Sequence, residues 1–193
     1  MAAKTSNRGS ARARLLSAAN DLFYREGVNT VGIDRVIERA GVAKASLYSS
    51  FGSKDELIRA YLLERHKTRQ ERILARLETY STPRERILGV FELLGEVFEE
   101  PTFRGCAFVR ASAEATEDSG IREVSDEMRG WTRSLFTDLA RQAGAAEPEE
   151  LARKLVVIHD GAIVGAQMDR NPSSAAVARG IAASLIDHAT RLA

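Results

Sequence analysis

The stretch from Ala40 to Lys54, AGVAKASLYSSFGSK, decides the fold class of this chain. Gly41 supplies a tight turn, because glycine adopts the left-handed backbone conformation at little cost. A helix is predicted over residues 43–50, and the apolar residues Leu47 and Phe51, one helical turn apart, are placed to face inward. We interpret this stretch as the turn and second helix of a helix-turn-helix motif.

The residues before this stretch complete a three-helix unit. Apolar residues at helical spacing predict a first helix from about Ser10 to Glu26, which Gly27 closes. A second helix is predicted from about Ile33 to Arg39. We therefore predict an N-terminal helix-turn-helix domain over residues 1–53.

The remaining residues, 54–193, show no strand pattern and predict a helical bundle. Ser53 is a good N-cap for a long helix, and much of its polar middle from Glu64 to Arg72 is expected to face water. Thr82 and Glu85 form a capping box that opens the next helix. With the helices that follow, the chain is predicted to be all-α, with about nine helices.

Composition limits the class of protein. Hydrophobic residues make up 44% of the 193-residue chain, which is enough apolar material for a core. The single cysteine, Cys106, excludes an intrachain disulfide and is expected to be a small buried hydrophobic residue. No apolar run approaches the roughly 18 residues of a membrane helix. We expect a cytoplasmic protein that does not contact the membrane.

Basic charge concentrates near the motif. Residues 1 to 58 carry nine Lys and Arg against six Asp and Glu, although the whole chain has a formal net charge of +1. The first fourteen residues contain Lys4, Arg8, Arg12 and Arg14 and no acidic residue. Two interpretations are open for these four residues, an arm that lies near phosphate and a solvated tail.

The outward side of the helix over 43–50 suits contact with DNA. A helix in the major groove places side chains against base edges, while amine and hydroxyl groups around it bind phosphate. The outward residues are basic, hydroxyl-bearing or small: Lys44, Ala45, Ser46, Tyr48 and Ser49. Lys54, at the start of the next helix, adds an amine at the edge.

The segment Gly27 to Leu57 resembles the DNA-binding signature of the TetR family of bacterial transcriptional regulators. The matching residues are AGV at 40–42, followed by Lys44, Leu47, Tyr48, Phe51, Lys54 and Leu57. The resemblance implies that Lys44, Tyr48 and Lys54 hold phosphates. It also implies that Ala45, Ser46 and Ser49 face bases. By the same resemblance, residues 54–193 form a helical-bundle domain for ligand binding and dimerisation.

Two positions depart from the family pattern. The second helix opens at Gly32 and the recognition helix at Ala43, where the family often has a hydroxyl. Thr30 is the candidate to replace the missing hydroxyl at the second helix. With fewer hydroxyl contacts, we expect phosphate binding by the motif to depend heavily on Lys44, Tyr48 and Lys54.

The two C-terminal helices predict a homodimer. The stretch Leu155 to Met168 is apolar on nearly all sides, and such a helix must be covered on two flanks. Two such helices per subunit around a two-fold axis would cover each other. The candidate interface residues are Leu155, Ala162, Val177, Ile181, Leu185 and His188.

Large side chains in the C-terminal domain are candidates to line a ligand cavity. The resemblance implies a cavity surrounded by Phe91, Leu94, Phe98, Phe108 and Trp131, with His66 and His159 as polar members. An ordinary core explains most of these apolar residues without any ligand. For the histidines the favoured alternative is a structural role, with a buried hydrogen bond at His159. The histidines lack a second ligand at metal spacing, so no metal or cofactor is expected.

These patterns predict a ligand-responsive transcriptional repressor. It would bind a palindromic operator in double-stranded DNA as a homodimer and be released by a small-molecule effector. No catalytic signature occurs in the sequence, so enzymatic activity is not expected. The alternatives are a small-molecule carrier or enzyme with a vestigial DNA-binding head, and a non-specific DNA-coating protein.

Overall fold

The computed structural model describes residues 9–115 and 120–191, and every regular element among them is an α-helix. Nine helices lie within these residues, which confirms the all-α prediction. They are α1 (Ala11–Glu26), α2 (Ile33–Ala40), α3 (Lys44–Phe51), α4 (Lys54–Leu77), α5 (Pro83–Glu99), α6 (Ala107–Glu114), α7 (Gly120–Gln142), α8 (Pro148–Asp169) and α9 (Ser173–Arg191). Over the same residues, no helix is long and apolar enough to cross a membrane.

Side-chain caps start several helices where the sequence predicts them. The hydroxyl of Ser10 accepts a hydrogen bond from the Ala13 amide at the start of α1. The Ser53 hydroxyl accepts one from the Glu56 amide at the start of α4. Thr82 and Glu85 form the predicted capping box of α5, in which each side chain accepts from the other's backbone amide. These caps satisfy amides that the first helical turn leaves unpaired.

The described chain divides into two compact units. The first unit comprises residues up to Arg65 together with Ala107–Ser125, and the second comprises His66–Cys106 together with residues from Asp126 onward. Helices α4 and α7 contribute residues to both units. The boundary predicted between residues 53 and 54 divides a DNA-binding domain from a ligand-binding and dimerisation domain. The two units are instead defined by which residues pack together, so the predicted boundary stays a prediction.

The first unit has a small core around α1. Leu15 and Leu47 are fully buried in it, and the rings of Phe23 and Tyr61 meet edge to face at 5.6 Å. The guanidinium of Arg65 lies 3.7 Å from the centre of a further ring, that of Tyr24. The buried Leu47 attaches α3 to this core, and the opposite side of that short helix is exposed.

The second unit has the larger core, built by α5, α8 and α9 with parts of α4 and α7. The rings of Phe91 and Phe136 stack at 5.9 Å in its centre, and both side chains are fully buried. Ala175, Ala178 and Ala182 bury the inner face of α9, whose small residues allow close packing. At the surface, paired charges such as Arg84 with Asp187 connect α5 to α9.

Candidate functional sites

The turn between α2 and α3 has the geometry that the sequence predicts. Gly41 adopts a left-handed conformation with φ of 62°, which strains any residue that carries a side chain. Its amide donates to the carbonyl of Glu38, and the next amide, of Val42, donates to that of Ile37. These bonds end α2 and direct the chain into α3 at a fixed angle.

Arg14 of α1 stabilises this turn, a role that the sequence analysis did not identify. Its guanidinium donates to the carbonyl oxygens of Gly41 at 3.0 Å and Ala40 at 3.4 Å. The neighbouring Arg12 lies with its guanidinium 4.9 Å from the centre of the Phe51 ring. These two arginines are therefore engaged within the first unit, and the two earlier basic residues of the predicted arm, at positions 4 and 8, lie outside the described residues.

Helix α3 presents most of the predicted contact residues on one exposed side. Leu47 is completely buried, whereas Tyr48 is 47% exposed. The side chains of Lys44, Ala45 and Ser49 are also exposed, and Ser46 is partly exposed. Outside α3, Thr30 is exposed and Lys54, the first residue of α4, is partly exposed. The inward anchor and the outward polar face are thus on opposite sides of two helical turns.

Lys44 forms an ion pair on this face. Its amine donates to the carboxylate of Asp34 at 3.0 Å, and this hydrogen bond raises the pKa of Lys44 above its ordinary value. Both side chains are well exposed, so water and salt weaken their attraction. The hydroxyl of Ser49 donates to the carbonyl of Ser46 within α3. Because the ion pair with Asp34 is weak, Lys44 can exchange this carboxylate for an anionic group of a polyanion with little loss of free energy.

The two departures from the family pattern are visible at the helix starts. Gly32 and Ala43 are the N-cap residues of α2 and α3, and neither helix has a side-chain cap. The helix predicted from residue 43 begins one residue later, because Ala43 has an extended backbone. The first amides of both helices consequently have no capping side chain and can donate to a ligand.

The second unit contains a polar network around His159. This histidine lies on α8, is 1% exposed, and has the rings of Phe91 and Phe136 around it at 6.3 and 6.1 Å. Its Nε2 lies 3.1 Å from a guanidinium nitrogen of Arg69, and its Nδ1 lies 3.2 Å from the carboxylate of Asp160. A neutral imidazole satisfies both contacts, since Nδ1 donates to the carboxylate and Nε2 accepts from the arginine.

The surroundings of this network shift the pKa values of its members. Burial lowers the pKa of His159, and the nearby Arg69 charge lowers it further, so the ring is kept neutral. Burial also lowers the pKa of the Arg69 guanidinium. For Asp160, burial acts to raise the pKa, but the hydrogen bonds from His159 and Arg129 outweigh it and the net shift is downward. The Arg129 nitrogen lies 2.7 Å from the Asp160 carboxylate.

The predicted ligand-lining residues do not all lie in one place. Phe91, Leu94 and Phe98 are buried in the core of the second unit. In the same unit, Trp131 is partly exposed, and its ring meets the buried His66 ring edge to face at 5.8 Å. The predicted lining residue Phe108 belongs to the first unit instead.

The predicted interface residues of α8 and α9 fall into two groups. Leu155 and Ala162 are buried in the protomer's own core, so they are not available for contact with a second subunit. On α9, Val177 and Ile181 are exposed, as is His188, while Leu185 is partly exposed. The exposed apolar residues of α8 are Val157, Val164 and Met168. On α8, periodicity selected residues that the protomer's own core covers, because an all-apolar helix does not reveal which side that core covers. That α8 and α9 form a dimer interface stays a prediction.

Arg69 is the site residue that the sequence analysis missed. The prediction that residues 64–72 face water is correct for Glu64, Lys67 and Arg72, whereas His66 is buried and Arg69 is partly buried. A signal for this placement was available. The positions of His66 and Arg69 continue the helical spacing of the buried Ile73, so polar residues occupy part of an inward stripe.

Cys106 is a free, partly buried thiol. Within residues 9–115 and 120–191, no group of three or more His, Cys, Asp or Glu side chains is placed to hold a metal ion.

Comparisons with known proteins agree with this architecture. A family model described as bacterial regulatory proteins, tetR family, matches residues 15–61. SCO4454, a TetR-family transcriptional regulator from Streptomyces coelicolor, is 30% identical with a TM-score of 0.87, over 93% of this chain and 96% of that one. A putative TetR-type regulator from Streptomyces avermitilis is 34% identical with a TM-score of 0.84, over 94% and 98%. The transcriptional activator FasR of Mycolicibacterium smegmatis is 28% identical over 69% of this chain, a match that spans 60% of FasR.

Proposed function

Because this chain belongs to the TetR family of DNA-binding transcriptional regulators, we propose that it is a homodimeric repressor that binds a palindromic operator and leaves it when a small-molecule effector binds. The exposed face of α3 carries the proposal. It combines a cation, an aromatic hydroxyl and small side chains over a fully buried leucine. This is the division that base readout and phosphate contact require.

Each subunit would place α3 in the major groove of one half-site. For a compact dimer the two half-sites lie about 34 to 36 Å apart, which is one turn of the duplex. We assign Lys44, Tyr48, Lys54 and Thr30 to phosphates. Ala45, Ser46 and Ser49 would face bases. The hydrogen bond of Ser49 within α3 would have to be exchanged for one to a base.

The dimer would form through α8 and α9. Val157 is 70% exposed and Met168 75% exposed, and with Val164 they lie on one side of α8. Val177 and Ile181 are neighbours one turn apart on α9. Exposed apolar side chains in this number are typical of a protein interface, and burying them against a second copy removes them from water.

The effector would bind in the second unit, among the predicted lining residues that lie there. Binding releases DNA only to the extent that the effector prefers the conformation with low operator affinity. A repressor lowers transcription from its operator, whereas an activator raises it. A reporter gene whose transcription falls when the protein is added supports the repressor proposal, and a rise would favour an activator, as the name of FasR states for that protein.

Selection of bound sequences from random duplex DNA tests the regulator against its alternatives. We expect one palindromic consensus, with half-sites related by the two-fold axis of the dimer. A DNA-coating protein would bind without enrichment of any sequence. A carrier or enzyme with a vestigial head would bind no DNA at moderate salt. Either of these results would contradict the proposal.

Sedimentation tests the dimer independently of DNA. At micromolar concentration we expect a species of twice the 21.2 kDa chain mass. Val157→Glu should shift it toward monomer, because an isolated charge is costly in a buried interface. Glu64→Gln, at an exposed position of α4, is the matched control and should leave the dimer unchanged.

A further inference from the structure

Arg69 of the second unit forms no salt bridge with a carboxylate in the part of the chain that the structure describes, although the charge of Asp160 acts on it through space. Among the described residues, its guanidinium contacts His159 Nε2 at 3.1 Å and the sulfur of Met128 at 3.0 Å. A thioether sulfur is a weak acceptor, and a neutral imidazole carries no charge. Two of the five guanidinium N–H groups are thus used, and neither bond neutralises the cation.

The charges of the connected network do not balance. It contains the cations Arg69 and Arg129, the carboxylate of Asp160 and the neutral ring of His159. Asp160 is held by Arg129 at 2.7 Å, so its charge is already paired. Its charge also attracts Arg69 through space, but the imidazole of His159 stands between the two groups and hydrogen-bonds both. One positive charge is therefore left over where burial makes an uncompensated charge costly.

We propose that the effector is a small organic monoanion, a carboxylate on an apolar body, and that Arg69 is the residue that pairs with its carboxylate. This inference rests on the proposed function, which supplies the need for an effector. The planar guanidinium matches a carboxylate with two parallel hydrogen bonds. One unit of negative charge balances the network, whereas a dianionic phosphate would leave an excess negative charge in the core.

Arg69 is partly exposed, and apolar side chains lie along the two helices that hold it and its partner Met128. Arg69 is only partly buried, so part of its surface remains accessible. Its partner Met128 lies one helical turn before Trp131 on α7, while His66 lies one turn before Arg69 on α4. The contacts Arg69–Met128 and His66–Trp131 therefore run side by side along the two helices. The partly exposed indole of Trp131 offers a flat apolar surface one helical turn from Met128, which contacts the cation.

Four probes with the same eight-carbon chain test the headgroup. They are octanoate, octanol, octyl phosphate and octyltrimethylammonium, titrated into the full-length protein. Trp131 is the single tryptophan of the chain, so its fluorescence reports binding beside Arg69, with calorimetry as a second readout. We expect octanoate to bind most tightly. Equal binding of octanol, tighter binding of octyl phosphate or octyltrimethylammonium, or no binding of octanoate would overturn the proposal.

Three arginine variants assign the effect to Arg69. Arg69→Gln should weaken octanoate binding by about tenfold or more, since a hydrogen-bonded charge pair is lost. Arg72→Gln removes an exposed arginine of the same helix, paired with Glu100, and should leave the affinity unchanged. Arg69→Lys keeps the charge without the planar fork and should fall between the two. An octanoate preference that survives in Arg69→Gln would overturn the assignment.

Two further measurements separate this proposal from its rivals. If Arg69 only holds helices together, Arg69→Gln lowers the unfolding midpoint while the preference for octanoate over octanol stays as in the wild type. Binding to the selected operator, measured without any probe, tests the proposed function by itself. A protein that binds its operator but shows no preference for octanoate contradicts the effector class alone, whereas one that binds no DNA selectively contradicts the proposed function.

Discussion

A basic side chain and an aspartate occur together at the start of α3 and again around His159. The first site is exposed to water, whereas the second surrounds a buried ring. The Lys44–Asp34 pair has both side chains mostly in water, and its partners are 3.0 Å apart. The Arg69–His159–Asp160 network has similar distances, but its central ring is buried between two phenylalanines. A short distance therefore does not tell what a polar contact contributes.

The difference follows from the dielectric environment of each site. Water screens the exposed pair, so its lysine can exchange a carboxylate for a phosphate with little loss. In the network of the second unit the ring of His159 is 1% exposed, so no water replaces a partner that this ring loses and its deletion leaves polar groups unsatisfied. The first arrangement suits reversible contact with a polyanion. The second suits a fixed position and a defined charge.

His159→Ala should produce the largest effect on stability. It opens a cavity between aromatic rings and removes the stronger of the two acceptors of Arg69, so we expect the free energy of unfolding to fall by about 3 kcal/mol. Urea unfolding measures the change. Lys154→Ala, at an exposed position of the same helix, is the control and should shift the midpoint little. If both variants lost the same free energy of unfolding, the buried His159 would contribute no more to stability than an exposed residue of the same helix.

The second-largest expected effect is a loss of stability of the second unit as the pH is lowered. Burial lowers the pKa of His159 below the ordinary value of 6.5, so between these two values the unfolded chain binds more protons than the folded one. Stability is then fully present above pH 6.5 and is lost as the pH falls, by up to about 1.4 kcal/mol per pH unit for one histidine.

Unfolding midpoints between pH 7.5 and 5.5 test this sign. His66, whose pKa burial also lowers, adds to the slope in the same direction. His159→Gln should reduce the slope, because it removes one of the two buried imidazoles. A wild-type midpoint that rises as the pH falls through this range would contradict the neutral ring.

Lys44→Ala should change DNA binding without changing stability. Loss of one phosphate contact reduces the slope of log affinity against log salt by about 1 per subunit, and all sequences are affected alike. Filter binding or fluorescence anisotropy at several salt concentrations measures this slope. Lys67→Ala, at an exposed lysine of the second unit, should leave it unchanged. An unaltered slope in Lys44→Ala would remove the phosphate role.

Asp34→Asn should have the smallest effect and the opposite sign. It releases Lys44 from its ion pair, so affinity for duplex DNA should rise by about twofold at low salt. The gain should vanish in the double variant with Lys44→Ala, because neighbours that share a contact are not additive. A gain that persists in the double variant would mean that Asp34 repels phosphate directly rather than through Lys44.

The sequence predicts local features well because their causes are local. A left-handed glycine, hydroxyl caps and the spacing of Leu47 act within a few residues, and the structure has each of them. The prediction was less accurate for α8, where Leu155 faces the protomer's own core, and for Arg69, which the polar composition placed in water. Both depend on residues far along the chain.

By itself, the sequence determined the all-helical class, the turn at Gly41 and the outward face of α3. Only the tertiary structure decided that Arg14 binds the turn, that Val157 rather than Leu155 is exposed, and that Arg69 and His159 meet. Helical periodicity records which residues share a side of one helix. It does not record which helix covers that side, because this depends on the packing of segments 90 or more residues apart.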